Sequence, residues 1–381
     1  MAIERITEDR FMDSVRLSEY AFSYKVPVER LDEIFKKIKK HQIYGIYENE
    51  KFAAKFHLIP LTTYVGDQSF KMGGIAGVAT YPEFRRRGYV KDLLTYALET
   101  MKTQGFVVSM LHPFDVTFYR KYGWELFSER LKTVHQRSDL VMLEPLVGSV
   151  KRYQLENVYL NELNQIYAQY ATQFSGMLVR EDDWWRSVVD DLNIAIYYDS
   201  EQKPTGYILY ETKDNKMTVE EFVPVNFEAR RGLWNFICQH DSMISELEMT
   251  TYEKEPLFFA LKMQKTVKRE VSPYFMVRIV DVESFLKEYK FARNEELKLQ
   301  VADPFAPWNE KTFLIKEGEV RVTKEKEGAL KLSINALSTA LFGHKRPTEL
   351  FAAGMIDGAE NNLEAFEKMI PTRPAYMYDF F

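Results

Sequence analysis

Hydrophobic positions in the first third of the chain switch between the two-residue period of a strand and the longer period of a helix. The clearest helical pattern covers 89–105, and its last residue is a glycine. Its apolar face is formed by Val90, Leu93, Leu94, Ala97, Leu98 and Met101. Two strands joined by a polar turn are predicted over 43–65, and a glycine-containing strand over 70–82. A short buried strand over 106–113 and a short helix capped by Asp115 follow.

The middle third of the chain repeats this order of elements. A helix, a hairpin, a strand and a second helix are predicted over 155–174, 194–212, 217–225 and 226–244. The repetition indicates a diverged internal duplication. The last third has strands over 297–303 and 318–324 and a helical run over 337–355. Prolines in the final segment, 371–381, exclude a continuous helix there.

Composition narrows the class of protein. A chain of 381 residues predicts two to four domains, and 46% hydrophobic with 28% charged residues is typical of globular protein. The net charge of −5 disfavours a nucleic-acid binder. The single cysteine, Cys238, excludes a disulfide within the chain and a cysteine metal cluster, and it fits the cytoplasm. We expect neither a signal peptide nor a membrane span, because the chain has no long apolar run.

Three consecutive arginines precede the clearest helix, at its N-terminal end. Cations are unfavourable there, because that end carries partial positive charge. They become favourable when a multiply charged anion such as a pyrophosphate binds the free amides. Gly88 would let such a ligand approach the backbone. The alternative is an exposed arginine cluster that makes salt bridges, and the P-loop and dinucleotide-binding motifs are both absent.

The stretch Arg85-Arg86-Arg87-Gly88-Tyr89-Val90 resembles the R-x-x-G-x-G/A acetyl-CoA loop of GNAT N-acetyltransferases, except at Val90. Together with "MGGIAGVATYPEFRRRGYVKDLL", "LHPFDVTFYRKYGW" and a C-terminal Phe, the whole chain resembles the Eis family. The resemblance implies an α/β (α+β) fold class: tandem GNAT folds with mixed central sheets and a sterol-carrier-protein-like α/β domain. The implied domains are a catalytic one over 1–148, one without a working cofactor loop over 149–272, and a C-terminal one over 273–381.

The same resemblance implies where acetyl-CoA binds. The backbone of a strand would hold the acetyl group and pantetheine arm, and the following loop and helix start would surround the pyrophosphate. A pair of residues that follows the next strand would complete the site. These cofactor-binding residues are Val78, Ala79, Thr80, Arg85, Arg86, Arg87, Gly88, Tyr89, Val90, Lys91, Phe114 and Asp115.

Two catalytic residues are carried over from the family by position. Tyr119 matches the general acid, with Tyr122 as its competitor and an ordinary core tyrosine as the structural alternative. The C-terminal carboxylate of Phe381 matches the general base. A free α-carboxyl has a pKa of about 3.5, so it is a poor direct base for an ammonium unless burial raises its pKa or a water relays the proton. It could instead hold the ammonium. The alternative is a frayed tail, but "PAYMYDFF" is too apolar for that, and a docked tail would put Asp379 near the amine entrance.

The predicted function is acetyl-CoA-dependent transfer of acetyl to a primary amine, aminoglycoside-like or a lysine side chain, by direct attack in a ternary complex. The alternative is a non-catalytic CoA- or lipid-binding protein. A nucleic-acid binder is disfavoured by the charge, and no metal is expected, because the six histidines lack metal-ligand spacing. The resemblance further implies a homo-hexamer.

Overall fold

The computed structural model describes residues 2–154, 160–261 and 266–381. The chain folds into two compact units. Unit 1 comprises Met1–Phe127, Phe275–Arg373 and Phe380–Phe381, and unit 2 comprises Ser128–Tyr274 and Pro374–Asp379. Across the described ranges, no helix combines the length and apolarity needed to cross a bilayer.

The first part of unit 1 contains both strands and helices. Its first strands are β1 (Ile3–Arg5), β2 (Gln42–Glu48), β3 (Lys51–Val65), β4 (Gln68–Thr80) and β5 (Val108–Leu111). Its first helices are α1 (Phe11–Ala21), α2 (Leu31–Ile38), α3 (Tyr89–Thr103) and α4 (Val116–Arg120). The hairpin over 43–65, the strand over 70–82, the helix over 89–105 and the Asp115-capped helix are therefore confirmed.

The sheet of this unit is mixed. Strands β1 to β4 pair antiparallel in sequence order, and β5 pairs parallel with β4. The last residues of β13 (Lys268–Ile279) pair antiparallel with β5. The register of β3 against β4 shifts between Lys55 and His57, opposite the positive-φ residue Gly77, so β4 is bulged there.

Helix α3 forms the main core of unit 1 because its apolar face is continuous. Leu93, Leu94, Ala97, Leu98 and Met101 are all fully buried in one cluster that also contains side chains of β3. The approach is close enough that a Cβ on Gly73 of β4 would lie 2.4 Å from the Met101 sulfur. Glycine in this strand therefore serves close packing between strand and helix.

The C-terminal part of unit 1 contains a second sheet. Its strands are β14 (Leu297–Ala302), β15 (Thr312–Lys316), β16 (Glu319–Thr323), β17 (Leu330–Ser333) and β18 (Ile356–Asp357), in the spatial order β16-β15-β14-β17-β18. Its helices are α9 (Val282–Glu288), α10 (Ile334–Leu341), α11 (Pro347–Ala352) and α12 (Glu360–Met369). The single helical run predicted over 337–355 is wrong: Gly343, at φ +80°, and Pro347 divide it into α10 and α11.

Unit 2 repeats the topology of the first sheet. Its strands include β7 (Ser149–Tyr153), β8 (Ser175–Leu178), β9 (Asn193–Tyr198), β10 (Pro204–Lys213), β11 (Lys216–Pro224) and β12 (Glu246–Thr251). Strand β6 (Glu125–Gln136) pairs antiparallel with β12. Helices α5 (Leu160–Ala171), α6 (Asp182–Val188), α7 (Phe227–Cys238) and α8 (Leu257–Ala260) accompany them. The predicted hairpin, strand and second helix are confirmed, and the start of the first helix, 155–159, lies outside the described residues.

Candidate active site

Strand β4 leaves β5 before it ends. The parallel pairs run from Met72 with Val108 to Gly74 with Met110, whereas β4 stays paired with β3 as far as Thr80. Alternate backbone groups of the β4 segment 75–80 therefore point to the side that β5 has left. The predicted acetyl-binding residues Val78, Ala79 and Thr80 all lie in this segment.

Thr80 adds a polar group to this open edge. Its hydroxyl is buried, and within the described part of the chain it has no hydrogen-bond partner. An unsatisfied buried hydroxyl costs free energy, which a ligand that supplies a hydrogen bond would recover.

Helix α3 starts without a side-chain cap. Its N-cap is Gly88, at φ +87°, and a Cβ placed there would meet no atom within 4 Å. The first amides of α3, from Tyr89, Val90 and Lys91, therefore face the open space beside Gly88 without a capping side chain. Such an end binds anions.

The three arginines of the loop have different environments. Arg87 donates to both carboxylate oxygens of Glu48, at 2.6 and 2.8 Å, and Tyr89 donates to the same carboxylate. The Tyr89 hydrogen bond and the Arg87 charge lower the pKa of Glu48. Arg85 is exposed and lies 3.4 Å from the Thr80 carbonyl. Arg86 is exposed, has φ +63°, and has no ion pair within the described residues.

These contacts combine both sequence interpretations of the arginines. Arg87 makes a salt bridge, as the structural alternative supposed. Arg86 and the uncapped amides at the start of α3 are available to bind an anion from solvent.

Tyr119 lies in α4 among aromatic rings. Its side chain is 3% exposed, and its ring centroid is 5.1 Å from that of Phe118, 5.6 Å from that of Phe114 and 6.5 Å from that of Trp124. Burial raises the pKa of Tyr119, so the phenol keeps its proton at neutral pH. Asp115 fixes the start of α4 by accepting a hydrogen bond from the Phe118 amide at 2.9 Å.

Two polar side chains from the C-terminal part of unit 1 hold the turn that follows Tyr119. Arg278 donates to the Tyr122 carbonyl at 2.6 Å, and it is itself bound by both carboxylate oxygens of Asp303, at 2.7 and 2.8 Å. Asn335 donates to the carbonyls of Arg120 and Trp124, at 3.1 and 2.9 Å. Sequence reasoning missed both residues, and they fix the backbone on the C-terminal side of Tyr119.

The terminal residue Phe381 packs in unit 1. Its ring centroid is 4.9 Å from that of Phe275. A Cβ on Gly74 would lie 2.7 Å from Cε2 of Phe381, so the terminal ring covers the last residue of β4 that pairs with β5. The neighbouring Phe380 is 66% exposed.

Asp379 differs from the sequence expectation. It is 4% exposed and makes an ion pair with Arg180 at 2.9 Å within unit 2. Trp184 and Tyr167 also donate to its carboxylate, at 2.7 and 3.3 Å. The carboxylate is therefore fully engaged inside the protein, and it contributes no free negative charge at an amine entrance.

Comparisons with known proteins identify the domains of the chain. Acetyltransferase (GNAT) domain models match residues 2–127 and 176–279, and a sterol carrier protein domain model matches residues 282–378. The N-acetyltransferase Eis of Mycobacterium tuberculosis (strain CDC 1551 / Oshkosh) is 24% identical over 342 residues, covering 83% of each chain. The chain is a homologue of the N-acetyltransferase Eis, with two GNAT acetyltransferase domains and a sterol carrier protein domain. It is an N-acetyltransferase, and GNAT acetyltransferases use acetyl-CoA.

Solved structures have the same fold. A conserved protein from Enterococcus faecalis V583, described as a probable N-acyltransferase, has a TM-score of 0.92 at 24% identity, over 100% of this chain and 99% of that one. Eis1 from Mycobacterium abscessus has a TM-score of 0.84 at 19% identity, over 100% of both chains.

The second GNAT domain of this Eis homologue lacks the loop found in the first. Helix α7 starts directly on Asn226, whose side chain accepts from the Ala229 amide at 2.8 Å and caps the helix. The two arginines of this segment, Arg230 and Arg231, lie inside α7, and Arg230 forms an ion pair with Glu255. Gly232 packs under Tyr197, where a Cβ would be 2.1 Å from the ring. This helix start therefore lacks the uncapped amides and open glycine of α3.

A buried polar cluster beside β4 was also missed. Lys55 is fully buried, and its ammonium lies 2.9 Å from the Ser14 hydroxyl, 2.6 Å from the Ser18 hydroxyl and 3.0 Å from His57 Nε2. Burial lowers the pKa of Lys55 to about 7. His57 Nδ1 is 3.2 Å from His41 Nδ1. These contacts hold α1 against β3, and the signal in the sequence is a lysine and a histidine in the otherwise apolar stretch 52–61 of that strand.

Proposed function

We propose that this protein transfers the acetyl group of acetyl-CoA to a primary amine, and that the reaction takes place in unit 1. The observation that carries the proposal is the pairing of β4. It leaves β5 after Gly74, and the chain then continues into the uncapped start of α3 at Gly88. An open strand edge followed by free helix amides accommodates a thioester and a pyrophosphate on one continuous stretch of backbone.

The residues of unit 1 fit acetyl-CoA chemically. Val78, Ala79 and Thr80 would bind the acetyl and pantetheine portions through their backbone, with the unsatisfied Thr80 hydroxyl available for a further hydrogen bond. Arg85, Arg86 and Gly88, with the amides of Tyr89, Val90 and Lys91, would bind the pyrophosphate. Arg87 would act mainly by holding the loop through Glu48. Phe114, which is 73% exposed, and Asp115 would contact the cofactor beyond β5.

The reaction is a direct displacement. The neutral amine attacks the thioester carbonyl, and backbone amides of β4 stabilise the oxyanion. The intermediate collapses to the amide and expels the CoA thiolate. Before the attack, the terminal carboxylate of Phe381 holds the incoming ammonium and accepts one of its protons, directly or through water. Tyr119, in the general-acid position, donates a hydrogen bond to the leaving sulfur, and the second proton lost by the nitrogen neutralises the thiolate. Counted from the ammonium and acetyl-CoA, the products are the acetylated amine, CoA thiol and one proton released to solvent.

The raised pKa of the Tyr119 phenol limits the form that this role can take. A free thiol has a pKa of about 8.5, below the ordinary tyrosine value of about 10, and burial raises the pKa of Tyr119 further, so a complete proton transfer from Tyr119 to the thiolate is uphill. The phenol therefore acts chiefly as a hydrogen-bond donor to the charge that develops on sulfur in the transition state. Water exclusion by the surrounding rings strengthens that hydrogen bond.

No covalent acetyl-enzyme is needed. The only cysteine, Cys238, lies in unit 2, is 3% exposed, and has a pKa raised to about 12 by burial. The acceptor in this proposal is a cationic amine, aminoglycoside-like or a lysine side chain, which the net charge of −5 favours. We further propose a cytoplasmic homo-hexamer, on family resemblance.

The proposal is tested by measuring CoA thiol release with a panel of amines: a kanamycin-type aminoglycoside, a lysine peptide and a polyamine. The buried Cys238 keeps the background of a thiol reagent low. We expect amine-dependent release and an acetylated product, heavier by one acetyl group, with at least one class. Binding of acetyl-CoA without release for any of these amines would contradict the proposal and favour a non-catalytic CoA-binding protein.

Changing Gly88 to alanine is expected to raise the KM for acetyl-CoA about tenfold, because a methyl group would enter the open space beside the helix amides. The matched control is Gly105→Ala at the other end of α3, where φ is +76° and the space is also open. Each variant loses about 1–2 kcal/mol of stability from the left-handed conformation. An equal KM increase in both variants would show that helix stability, rather than the loop, determines affinity.

A further inference from the structure

The two units share a topological feature at their parallel strand pair. In unit 2 the parallel pairs of β11 and β12 run from Lys216 with Glu246 to Val219 with Met249, and β11 then continues to Pro224. In unit 1 the pairs of β4 and β5 end in the same way. Unit 2 therefore has its own slot beside the last residues of β11.

In unit 2 this slot is filled by the C-terminal segment of the chain. The hydroxyl of Tyr378 accepts from the amide of Phe222 at 3.3 Å and donates to its carbonyl at 2.9 Å. Phe222 lies three residues beyond the last β11–β12 pair. One side chain of the tail thus forms hydrogen bonds with backbone groups of β11 beyond the point where β12 stops pairing with it.

Backbone and cation contacts hold the same segment. Ser175 of β8 donates to the Pro374 carbonyl at 3.0 Å and accepts from the Tyr376 amide at 3.0 Å. Arg130 donates to the Tyr378 carbonyl and stacks 3.5 Å from the centroid of the Tyr274 ring. Tyr274 in turn donates to the Asp379 carbonyl at 2.8 Å. The tail is bound along its length.

The charged contacts form a buried cluster with one cation and two carboxylates. Arg180 is bound by Glu221 and by Asp379, and its side chain is fully buried. Tyr207 donates to Glu221 at 2.6 Å. Removing Asp379 would leave the Arg180–Glu221 pair intact and neutral, whereas removing Arg180 would leave two buried carboxylates without their cation.

We propose that the slot beside β11 is a binding site for the chain's own C-terminal segment, Ala375–Asp379. The site uses Phe222, Arg180 and Arg130 to hold the tail. Acetyl-CoA cannot use the Phe222 amide while Tyr378 occupies it. The second GNAT domain is thus a receptor for the tail.

This site has a consequence that rests on the proposed function. Phe381 is two residues from Asp379, and an extended chain spans at most about 3.6 Å per residue. The Cα atom of Phe381 therefore stays within about 7 Å of the Cα atom of Asp379, which the cluster holds. If Phe381 acts as base, Asp379 and Tyr378 are positioning residues for it.

The test uses three full-length variants: Asp379→Asn, Tyr378→Phe and Tyr376→Phe. The third is the matched control, because the Tyr376 hydroxyl is buried without a hydrogen-bond partner among the described residues. Amide hydrogen exchange of a peptide covering 374–381 is measured by mass spectrometry. We expect at least tenfold faster exchange for Asp379→Asn and Tyr378→Phe and no change for Tyr376→Phe, while peptides from α3 and α7 stay protected and report a folded chain.

Hydrogen exchange tests the tail-binding site, and kcat tests the role of Phe381 as base. Unchanged tail exchange in Asp379→Asn and Tyr378→Phe would overturn the binding site. Faster exchange with kcat reduced at least tenfold supports both the site and the role of Phe381. Faster exchange with unchanged kcat supports the binding site and refutes Phe381 as base, so the two proposals fail separately.

Discussion

Replacing Tyr119 with phenylalanine is expected to lower kcat by about 10²–10³-fold, the range typical of a lost general acid. The KM for acetyl-CoA should stay within about twofold, because the phenol acts on charge that develops only in the transition state. The ring contacts with Phe114, Phe118 and Trp124 survive the change. Steady-state kinetics of CoA release, with the best amine of the panel, measures both constants.

Tyr122→Phe is the matched control for this prediction. Tyr122 is three residues away, and the structure uses its carbonyl rather than its hydroxyl, as an acceptor for Arg278. We expect a change in kcat of less than about threefold in this variant. A large loss in Tyr122→Phe with a small loss in Tyr119→Phe would transfer the acid role to Tyr122.

Converting the terminal carboxylate of Phe381 to an amide is expected to lower kcat/KM for the amine by about 10²-fold or more. The amide keeps the ring against Gly74 and Phe275 but removes the charge that holds the ammonium. Ammonolysis of an intein thioester gives this chain without changing any side chain. Acetyl-CoA affinity, measured by calorimetry, should be unchanged.

Phe380→Ala is the companion variant for the amide. Its side chain is 66% exposed, although its ring also contacts His112 and Phe275, with centroids 5.1 and 6.4 Å apart. We expect a small effect on kcat/KM. An amidated chain as active as the acid would remove Phe381 from the mechanism and leave the proton to water or another group.

Local features of the fold were predictable because they depend on neighbouring residues. The period of 89–105 predicted α3, and Asp115 predicted the cap of α4. The loop at Gly88 was found through its family pattern, and its helix start is uncapped with open space beside it. The break between α10 and α11 was missed, because a helical run was read through Gly343 and Pro347 although both residues are visible in the sequence.

Long-range polar contacts were not predictable. Asp379 and Arg180 are 199 positions apart, and Asn335 and Trp124 are 211 positions apart. A single acidic residue near a chain end gives no sign of burial, so Asp379 was expected near the amine entrance. The apolar character of "PAYMYDFF" predicted a docked tail, but no local pattern predicted which strand edge would bind it.

We propose different tasks for the two GNAT domains: the first would bind acetyl-CoA and carry out the transfer, and the second would bind the tail. Calorimetric titration of the full-length chain with acetyl-CoA tests this division most directly. The account predicts one equivalent per chain, weakened by Gly88→Ala and unaffected by Asn226→Ala, which removes the cap of α7. Two equivalents per chain, or one that is insensitive to Gly88→Ala, would contradict it.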